Sequence, residues 1–287
     1  SAASDVYKRQ LQEVLRDEWG FDGIIISDWG AVKNRAYSLL ASIEMCMPYQ
    51  EEAFEQLKEA YDKKIIDDEV IDEALLRIFR FYDRTKGVYE SVNCDFERHH
   101  KLAVKAANKS MVLLKNENQV LPFNTESVKR ILVIGDAGVK PYIGGDGSSR
   151  VVNPPQIDNP VEELKKILGP EVQIDFMESK KINTYYNEIG HMELEIARRA
   201  SKVDAVLIFA TQNYACYSEA VDRNTIELDP NIEYAIRACS RVNSRIITVL
   251  NTASAISVHK WGFCVQGILV SWLSGQGMGR AIAETLC

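Results

Sequence analysis

The sequence lacks any apolar run near the roughly 20 residues that a membrane-spanning helix needs, and no basic region followed by an apolar core opens it. Its 34 basic residues are outnumbered by 41 acidic ones and form no stripe that suits a phosphate backbone. We therefore expect neither a membrane nor a nucleic acid as a partner. The sequence indicates no cellular location and no oligomeric state.

Patterns that bind metals or nucleotides are also missing. The six cysteines stand singly, without the CxxC spacing of a zinc site. His99 and His100 are adjacent, and neighbouring side chains on a helix point about 100° apart, so they cannot both face one metal ion. The GGDGSS run at 144–149 lacks the lysine of a phosphate-binding loop, and the glycines at 135–138 complete no dinucleotide fingerprint. We therefore expect no metal and no cofactor.

The composition, 46% hydrophobic and 26% charged, is typical of a globular protein with one or two cores. Apolar residues at helical spacing predict a helix over residues 11–19. Ile24, Ile25 and Ile26 then indicate a strand buried on both faces, which ends at a polar cluster, residues 27–30. The carboxyl end of a parallel strand is where α/β folds place their chemistry.

Further along the chain, helical spacing over residues 71–82 follows an acidic start at residues 67–69, and we place a domain boundary at 88–98. Residues 99–108 are predicted to be a helix and 111–114 a strand. From Arg130 onward, strands alternate with helices. That alternation predicts a parallel sheet covered by helices.

The segment LRDEWGFDGIIISDWGAV at 15–32 resembles the nucleophile segment of glycoside hydrolase family 3, in which an Asp ends the seventh strand of a (β/α)8 barrel. Together with four other segments, it follows that family's order at about its spacing. The other four are SLLASIEMCMP (38–48), LAVKAANKSMVLLKNENQVLPF (102–123), GGDGSSRVVNPP (144–155), and YSEAVDR (217–223) with LNTASAISV (250–258).

The resemblance implies an α/β fold in which the C-terminal part of a (β/α)8 barrel, residues 11–87, precedes a truncated six-stranded α/β sandwich, residues 130–287. Residues 88–129 would be the interdomain linker. We interpret residues 1–10 as a foreign, adapter-derived end and the chain as an internal fragment. Since most of the barrel would lie upstream, we expect this chain alone to be inactive.

The resemblance also assigns catalytic roles. Retaining hydrolysis uses one ionised carboxylate as nucleophile and one protonated carboxyl as acid, about 5 to 5.5 Å apart. The family's pattern makes Asp28 the nucleophile, kept ionised by hydrogen bonds from the following loop, and Trp29 a flat face for the sugar. From the residues alone, a helix-capping loop residue is the favoured reading of Asp28, and a core residue is the alternative reading of Trp29.

The acid/base is assigned to Glu219, because SEAVDR resembles the family's S-E-G-x-D-R pattern, from which it departs at Ala220 and Val221. Glu219 would need a raised pKa. Asp222 and Glu227 are the alternatives for the acid/base. A carboxylate on a solvated loop, without a catalytic role, is the alternative interpretation of Glu219. Asp222 and Arg223 are expected to form an ion pair. The GGDGSS loop is expected to face the barrel, its glycines allowing close backbone approach.

The resulting hypothesis is a β-glucosidase-like enzyme that hydrolyses terminal non-reducing β-D-glycosidic bonds. A β-xylosidase of the same family is the nearest alternative. A non-catalytic carbohydrate-binding module is the alternative from another class, and it leaves the Asp28 segment unexplained.

Overall fold

The computed structural model describes residues 8–87, 93–124, 126–179, 189–212, 217–219 and 221–287. The chain divides into two compact units, Ser1–Asn93 and Cys94–Cys287, named the first unit and the second unit. Residues 1–7 of the expected foreign end and residues 88–92 of the expected domain boundary lie outside the described residues.

The first unit consists of helices around a small core. A π-helix, Arg9–Glu18, is followed by α1 (Arg35–Leu40), α2 (Glu52–Asp62) and α3 (Asp68–Thr85). The side chains of Asn34 and Asp67 accept backbone N–H groups at the starts of α1 and α3, which satisfies donors that a helix N-terminus leaves free. The core is formed by Ala36, Leu39, Ala60, Ile66 and Ala74.

Two predictions for the start of the first unit need correction. The helix over residues 11–19 exists, but Trp19 on its predicted apolar face is 73% exposed, and the buried side chain is Arg16. The predicted buried strand at 24–26 makes a single parallel bridge, between Ile26 and Met45, and Ile26 is 52% exposed. A parallel strand is buried only when strands flank it and helices cover both faces, and the described residues 8–87 supply one such neighbour.

The predicted helix over residues 71–82 is confirmed as α3, whose apolar face is largely open. Leu75, Phe79 and Tyr82 on that face are exposed. A contiguous apolar surface of this kind is characteristic of a face that packs against further protein.

The second unit is built on one six-stranded sheet. Its strands are β1 (Val112–Asn116), β2 (Arg130–Ile134), β3 (Gln173–Met177), β4 (Ala205–Ala210), β5 (Ile246–Leu250) and β6 (Gly267–Val270). Its helices are α4 (Phe96–Ser110), α5 (Pro160–Leu168), α6 (Ile189–Ala200), α7 (Pro230–Ser240) and α8 (Met278–Leu286). Among the described helices of the whole chain, none is both long and apolar enough to cross a membrane.

The strand order is β1-β6-β5-β4-β2-β3, and β2 to β6 are parallel. The parallel sheet predicted from Arg130 onward is thus confirmed in its five strands. The strand β1, which precedes Arg130, runs antiparallel to β6 at the sheet edge. The residues of β1 fall inside the segment 88–129, which was expected to be a linker. That segment therefore contributes a strand to the sheet, because the edge of β6 offers backbone groups that pair with either strand direction.

Two apolar cores lie on opposite faces of the sheet, because alternate side chains of each strand point to opposite sides. Ile131 and Val133 of β2 belong to the core that includes residues of α5 and α8. Leu132 and Ile134 belong to the core that includes residues of α6 and α7. With both faces covered, the strand ends are the places where polar side chains of the second unit can gather.

Gly135, directly after β2, provides a test of this packing. Its φ is +106°, and a Cβ atom there would lie 2.2 Å from the carbonyl oxygen of Phe209 in β4. Gly135→Ala should lower the free energy of unfolding by about 3 kcal/mol or more, because backbone strain adds to overpacking. Urea unfolding of the chain, followed by tryptophan fluorescence to which the fully buried Trp261 contributes, measures this loss.

Gly169 is the matched control for Gly135. Its φ is +78°, but nothing lies within 4 Å of an added Cβ. Gly169→Ala should therefore cost only about 1 kcal/mol of strain. Equal losses in the two variants would show that close packing at the end of β2 is not what requires glycine.

Candidate active site

Asp28 lies in a turn whose backbone is tied to residues 45–47. The N–H of Ser27 donates to the carbonyl of Met45 (2.9 Å), and the N–H of Gly30 donates to the carbonyl of Met47 (3.0 Å). The hydroxyl of Ser27 also accepts the N–H of Met47 (2.9 Å). Hydrogen bonds therefore fix the backbone on each side of Asp28, as a precisely aimed side chain requires.

The Asp28 carboxylate is exposed and accepts the N–H of Trp29 (2.7 Å), which is the expected hydrogen bond from the following loop. Trp29 is 70% exposed and does not belong to the described core of the first unit. A carboxylate and an indole ring are thus adjacent on the surface of the first unit.

Behind this turn lies a buried ionic cluster that sequence reasoning missed. The carboxylate of Glu44, whose side chain has no exposed area, accepts from Arg16 (2.8 Å) and Arg77 (3.1 Å). Burial lowers the pKa of Arg16, and the charge of Glu44 opposes that shift. No local pattern indicates the cluster, because its members lie 28 and 33 residues apart in sequence.

In the second unit, the segment that carries Glu219 packs against the GGDGSS loop. The GGDGSS loop follows β2, and the Glu219 segment follows β4. The strands β2 and β4 are neighbours in the sheet, and the chain continues from β2 to β3 on one side of this pair and from β4 to β5 on the other side. Such a switch point at the carboxyl edge of a parallel sheet is where open α/β folds bind ligands. The N–H of Asp146 donates to the carbonyl of Tyr217 (3.0 Å).

Glycine is required where the GGDGSS loop meets the Glu219 segment. A Cβ at Gly145 would lie 2.8 Å from the carbonyl oxygen of Tyr217, and one at Gly147, whose φ is +72°, would lie 2.8 Å from the Cβ of Glu219. The close backbone approach expected of these glycines is therefore present, with the Glu219 segment as partner. Ala220 and residues 213–216 lie outside the described residues.

Glu219 is exposed, and its Oε2 accepts the backbone N–H of Ser148 (3.0 Å). Hydrogen bonds from the hydroxyl and the N–H of Ser148 lower the pKa of Glu219 below its usual value. This direction is opposite to the raised pKa expected of a general acid. This arrangement therefore favours the ionised form.

The neighbouring charged residues are arranged differently from expectation. The ion pair predicted between Asp222 and Arg223 is wrong: in the described part of the chain, Arg223 donates instead to Gln212 Oε1 (2.7 Å) and to the carbonyl of Ala255 (3.2 Å). Asp222 is exposed. The Oε2 atom of Glu227 lies 3.5 Å from the ammonium of Lys260, so Glu227 has a cationic partner.

The two adjacent histidines have separate partners. His99 contacts the thiol of Cys94, whereas His100 is buried against Asp158 (2.8 Å). Among the described residues, no group of three His, Cys, Asp or Glu side chains is arranged to hold a metal ion.

Comparison with known proteins identifies the family. Residues 111–287 match the glycosyl hydrolase family 3 C-terminal domain, and residues 3–81 match the family 3 N-terminal domain. The chain belongs to glycosyl hydrolase family 3. Since the first match covers more than half of the chain, the family resemblance in the sequence is confirmed.

The most similar family 3 relatives include glycosidases of two specificities. Thermostable beta-glucosidase B of Acetivibrio thermocellus is 33% identical over 96% of this chain and 36% of its own length. Exo-alpha-(1->6)-L-arabinopyranosidase of Bifidobacterium longum is 30% identical over 96% of this chain and 37% of its own length. The chain thus spans little more than a third of these relatives.

A solved structure has the same mixed α/β fold. The family 3 beta-glucosidase of Bifidobacterium adolescentis superposes with a TM-score of 0.84 at 30% identity, over 97% of this chain and 40% of that chain.

The electrostatic setting of Glu219 leads to a prediction. Ser148→Ala removes the hydroxyl donor and keeps the backbone N–H, so the pKa of Glu219 should rise toward its ordinary value. Because the folded-state pKa is lowered, these contacts stabilise the chain above the ordinary pKa and are lost as the pH falls through the folded-state value. Titration of the glutamate carboxyl carbons by 13C NMR measures the shift.

Ser149→Ala is the matched control, because the hydroxyl of Ser149 donates to the carbonyl of Asp146 (3.2 Å). This variant should leave the pKa of Glu219 unchanged. The same rise in both variants would show that loop distortion, and not the Ser148 hydroxyl, sets the pKa.

Proposed function

We propose that this chain is part of a retaining, exo-acting β-glycosidase of the β-glucosidase type, with Asp28 as nucleophile, Glu219 as acid/base and Trp29 as a sugar-binding surface. The observation that carries the proposal is the exposed Asp28 carboxylate, held in a turn whose backbone is fixed on both sides, in a chain of a glycosidase family. The substrate is a small-molecule or oligosaccharide β-glycoside.

The proposed fold of the longer protein follows the family resemblance. Residues 11–87 form the last part of a (β/α)8 barrel, and the second unit forms its α/β sandwich. Two observations support this fold. The segment of Ile26 makes a single bridge, and further barrel strands would pair with it; the apolar face of α3 is exposed, and further barrel helices would cover it.

The reaction would proceed in two steps. A carboxylate oxygen of Asp28 attacks the anomeric carbon while the bond to the leaving oxygen breaks, and Glu219 gives that oxygen its proton. Glu219, now ionised, then takes a proton from water, whose oxygen attacks the same carbon and releases Asp28. Two inversions restore the β configuration.

The lowered pKa of Glu219 in the free chain suits the second step and opposes the first. Transfer of the proton to the leaving group needs a protonated Glu219. The proposal therefore requires substrate to exclude water around the carboxyl and weaken its hydrogen bonds to Ser148, because desolvation raises the pKa of a carboxyl group.

Alternative functions differ in testable ways. A β-xylosidase shares the mechanism and differs in the sugar, so comparing the turnover of an aryl β-glucoside with that of an aryl β-xyloside separates the two. Because one relative is named an alpha-L-arabinopyranosidase, an aryl α-L-arabinopyranoside is the third substrate to compare. A carbohydrate-binding module would bind sugar and form no covalent adduct.

The nucleophile assignment predicts the site of a covalent label. In the full-length enzyme, a 2-deoxy-2-fluoroglycoside should attach to the peptide that contains Asp28, because the fluorine slows the second step more than the first when the leaving group is good. Peptide mass spectrometry locates the label. Asp28→Ala should abolish labelling and lower kcat by several orders of magnitude, whereas Asp22→Ala, which alters an exposed carboxylate of the same segment, should do neither. A label on another carboxylate contradicts the assignment.

The acid/base assignment predicts chemical rescue. Glu219→Ala should slow glycosides with poor leaving groups far more than activated aryl glycosides, because only the former need a proton in the first step. Azide needs no general base, so it should restore the rate on the activated substrate and give a β-glycosyl azide. Asp222→Ala and Glu227→Ala are the controls. Rescue of either of these, without rescue of Glu219→Ala, would transfer the role to that residue.

A further inference from the structure

Glu44 connects the two backbone segments that hold the Asp28 turn. Its Oε2 accepts the N–H of Ile25 (2.7 Å), and its carboxylate is paired with Arg16 and Arg77. The contact to Ile25 lies three residues before Asp28. A side chain with no exposed area thus hydrogen-bonds directly to the nucleophile segment.

Two buried arginines, Arg16 and Arg35, extend this hold along both segments. Arg16 donates to the carbonyls of Gly23 (2.9 Å) and Ser42 (3.1 Å). Arg35 donates to the carbonyls of Ile43 (3.0 Å) and Glu44 (2.7 Å). Backbone from residues 23–25 and from residues 42–44 is therefore fixed to one buried cluster of charges.

The cluster reaches Asp28 through the backbone. Met45, which follows Glu44, accepts the N–H of Ser27, and Met47 accepts the N–H of Gly30. A displacement of residues 44–47 would consequently move Ser27 and Gly30, which lie on either side of the Asp28 turn. No described contact brings Glu44 to the Asp28 carboxylate itself, so its effect acts through backbone position.

Stability alone is a weak reason for this cluster. Removing charged groups from water costs about as much as their attraction returns, and apolar replacements are often as stable. What buried charges with several directional hydrogen bonds provide is a single geometry. A nucleophile needs that geometry, because small displacements of a reacting group cost large factors in rate.

We infer that Glu44 is a positioning residue for Asp28, which it holds through Ile25 and the Met45–Met47 backbone. This inference rests on the proposed role of Asp28 as nucleophile. Glu44 acts on the first chemical step, and substrate affinity depends on other groups.

The first test measures the contact without using activity. Glu44→Gln keeps the shape of the side chain but replaces one carboxylate oxygen by an NH2 group, which cannot accept a hydrogen bond. The variant therefore cannot accept from Arg16, Arg77 and Ile25 together. Backbone amide exchange of Ile25 and Ser27 in the chain should accelerate by about tenfold or more. Asp22→Asn is the matched control. Asp22 lies three residues before Ile25, and the change weakens only its exposed ion pair with Arg84. Unchanged exchange in Glu44→Gln would overturn the inference.

The second test separates positioning from folding. In the full-length enzyme, Glu44→Gln should lower kcat and the rate of fluoroglycoside labelling by about 10- to 100-fold, with KM changed by less than about threefold. Glu44→Asp, which keeps the charge, should recover part of the lost rate and is the variant used if Glu44→Gln does not fold. Asp22→Asn should keep the wild-type rate.

The outcomes distinguish this inference from the proposed function. If Asp28 is labelled in the wild type and Glu44→Gln is labelled equally fast although its amides exchange faster, the positioning role is overturned. If the wild type carries no label on Asp28, the proposed function fails, and the catalytic role given to Glu44 fails with it.

Discussion

The parallel sheet of the second unit requires apolar cover on both faces, and the remaining features of that unit depend on this requirement. Parallel strands connected by helices bury both sides, so β2, β4 and β5 are apolar almost throughout. Polar groups are confined to the strand ends. Gln212 and Glu219 therefore lie in the segment after β4, next to the glycine-rich loop that follows β2.

Glycines then determine how closely the loops at that edge approach one another. Gly135 brings the end of β2 against Phe209, and Gly145 and Gly147 bring the loop against Tyr217 and Glu219. This approach places the N–H of Ser148 on the Glu219 carboxylate. Packing thus contributes to the lowered pKa of the proposed acid/base, because it brings Ser148 within hydrogen-bond distance of Glu219.

In the first unit, buried ions organise the backbone near Asp28. Its described hydrophobic core is small, and the carboxylate of Glu44, shared by Arg16 and Arg77, binds backbone from two segments. Each proposed catalytic carboxylate therefore accepts a backbone N–H, from Ser148 at Glu219 and from Trp29 at Asp28. In the first unit, further hydrogen bonds fix the backbone around Asp28.

The sequence by itself determined the family, the five parallel strands and most helices, because these depend on local periodicity and on motifs contained in single segments. Only the tertiary structure decided the antiparallel direction of β1, the exposure of Ile26 and Trp19, the partners of Arg223, the lowered pKa of Glu219 and the burial of Arg16 with Glu44. Each of these depends on which distant groups meet, and neither burial nor charge pairing across some 30 residues leaves a local pattern in the chain.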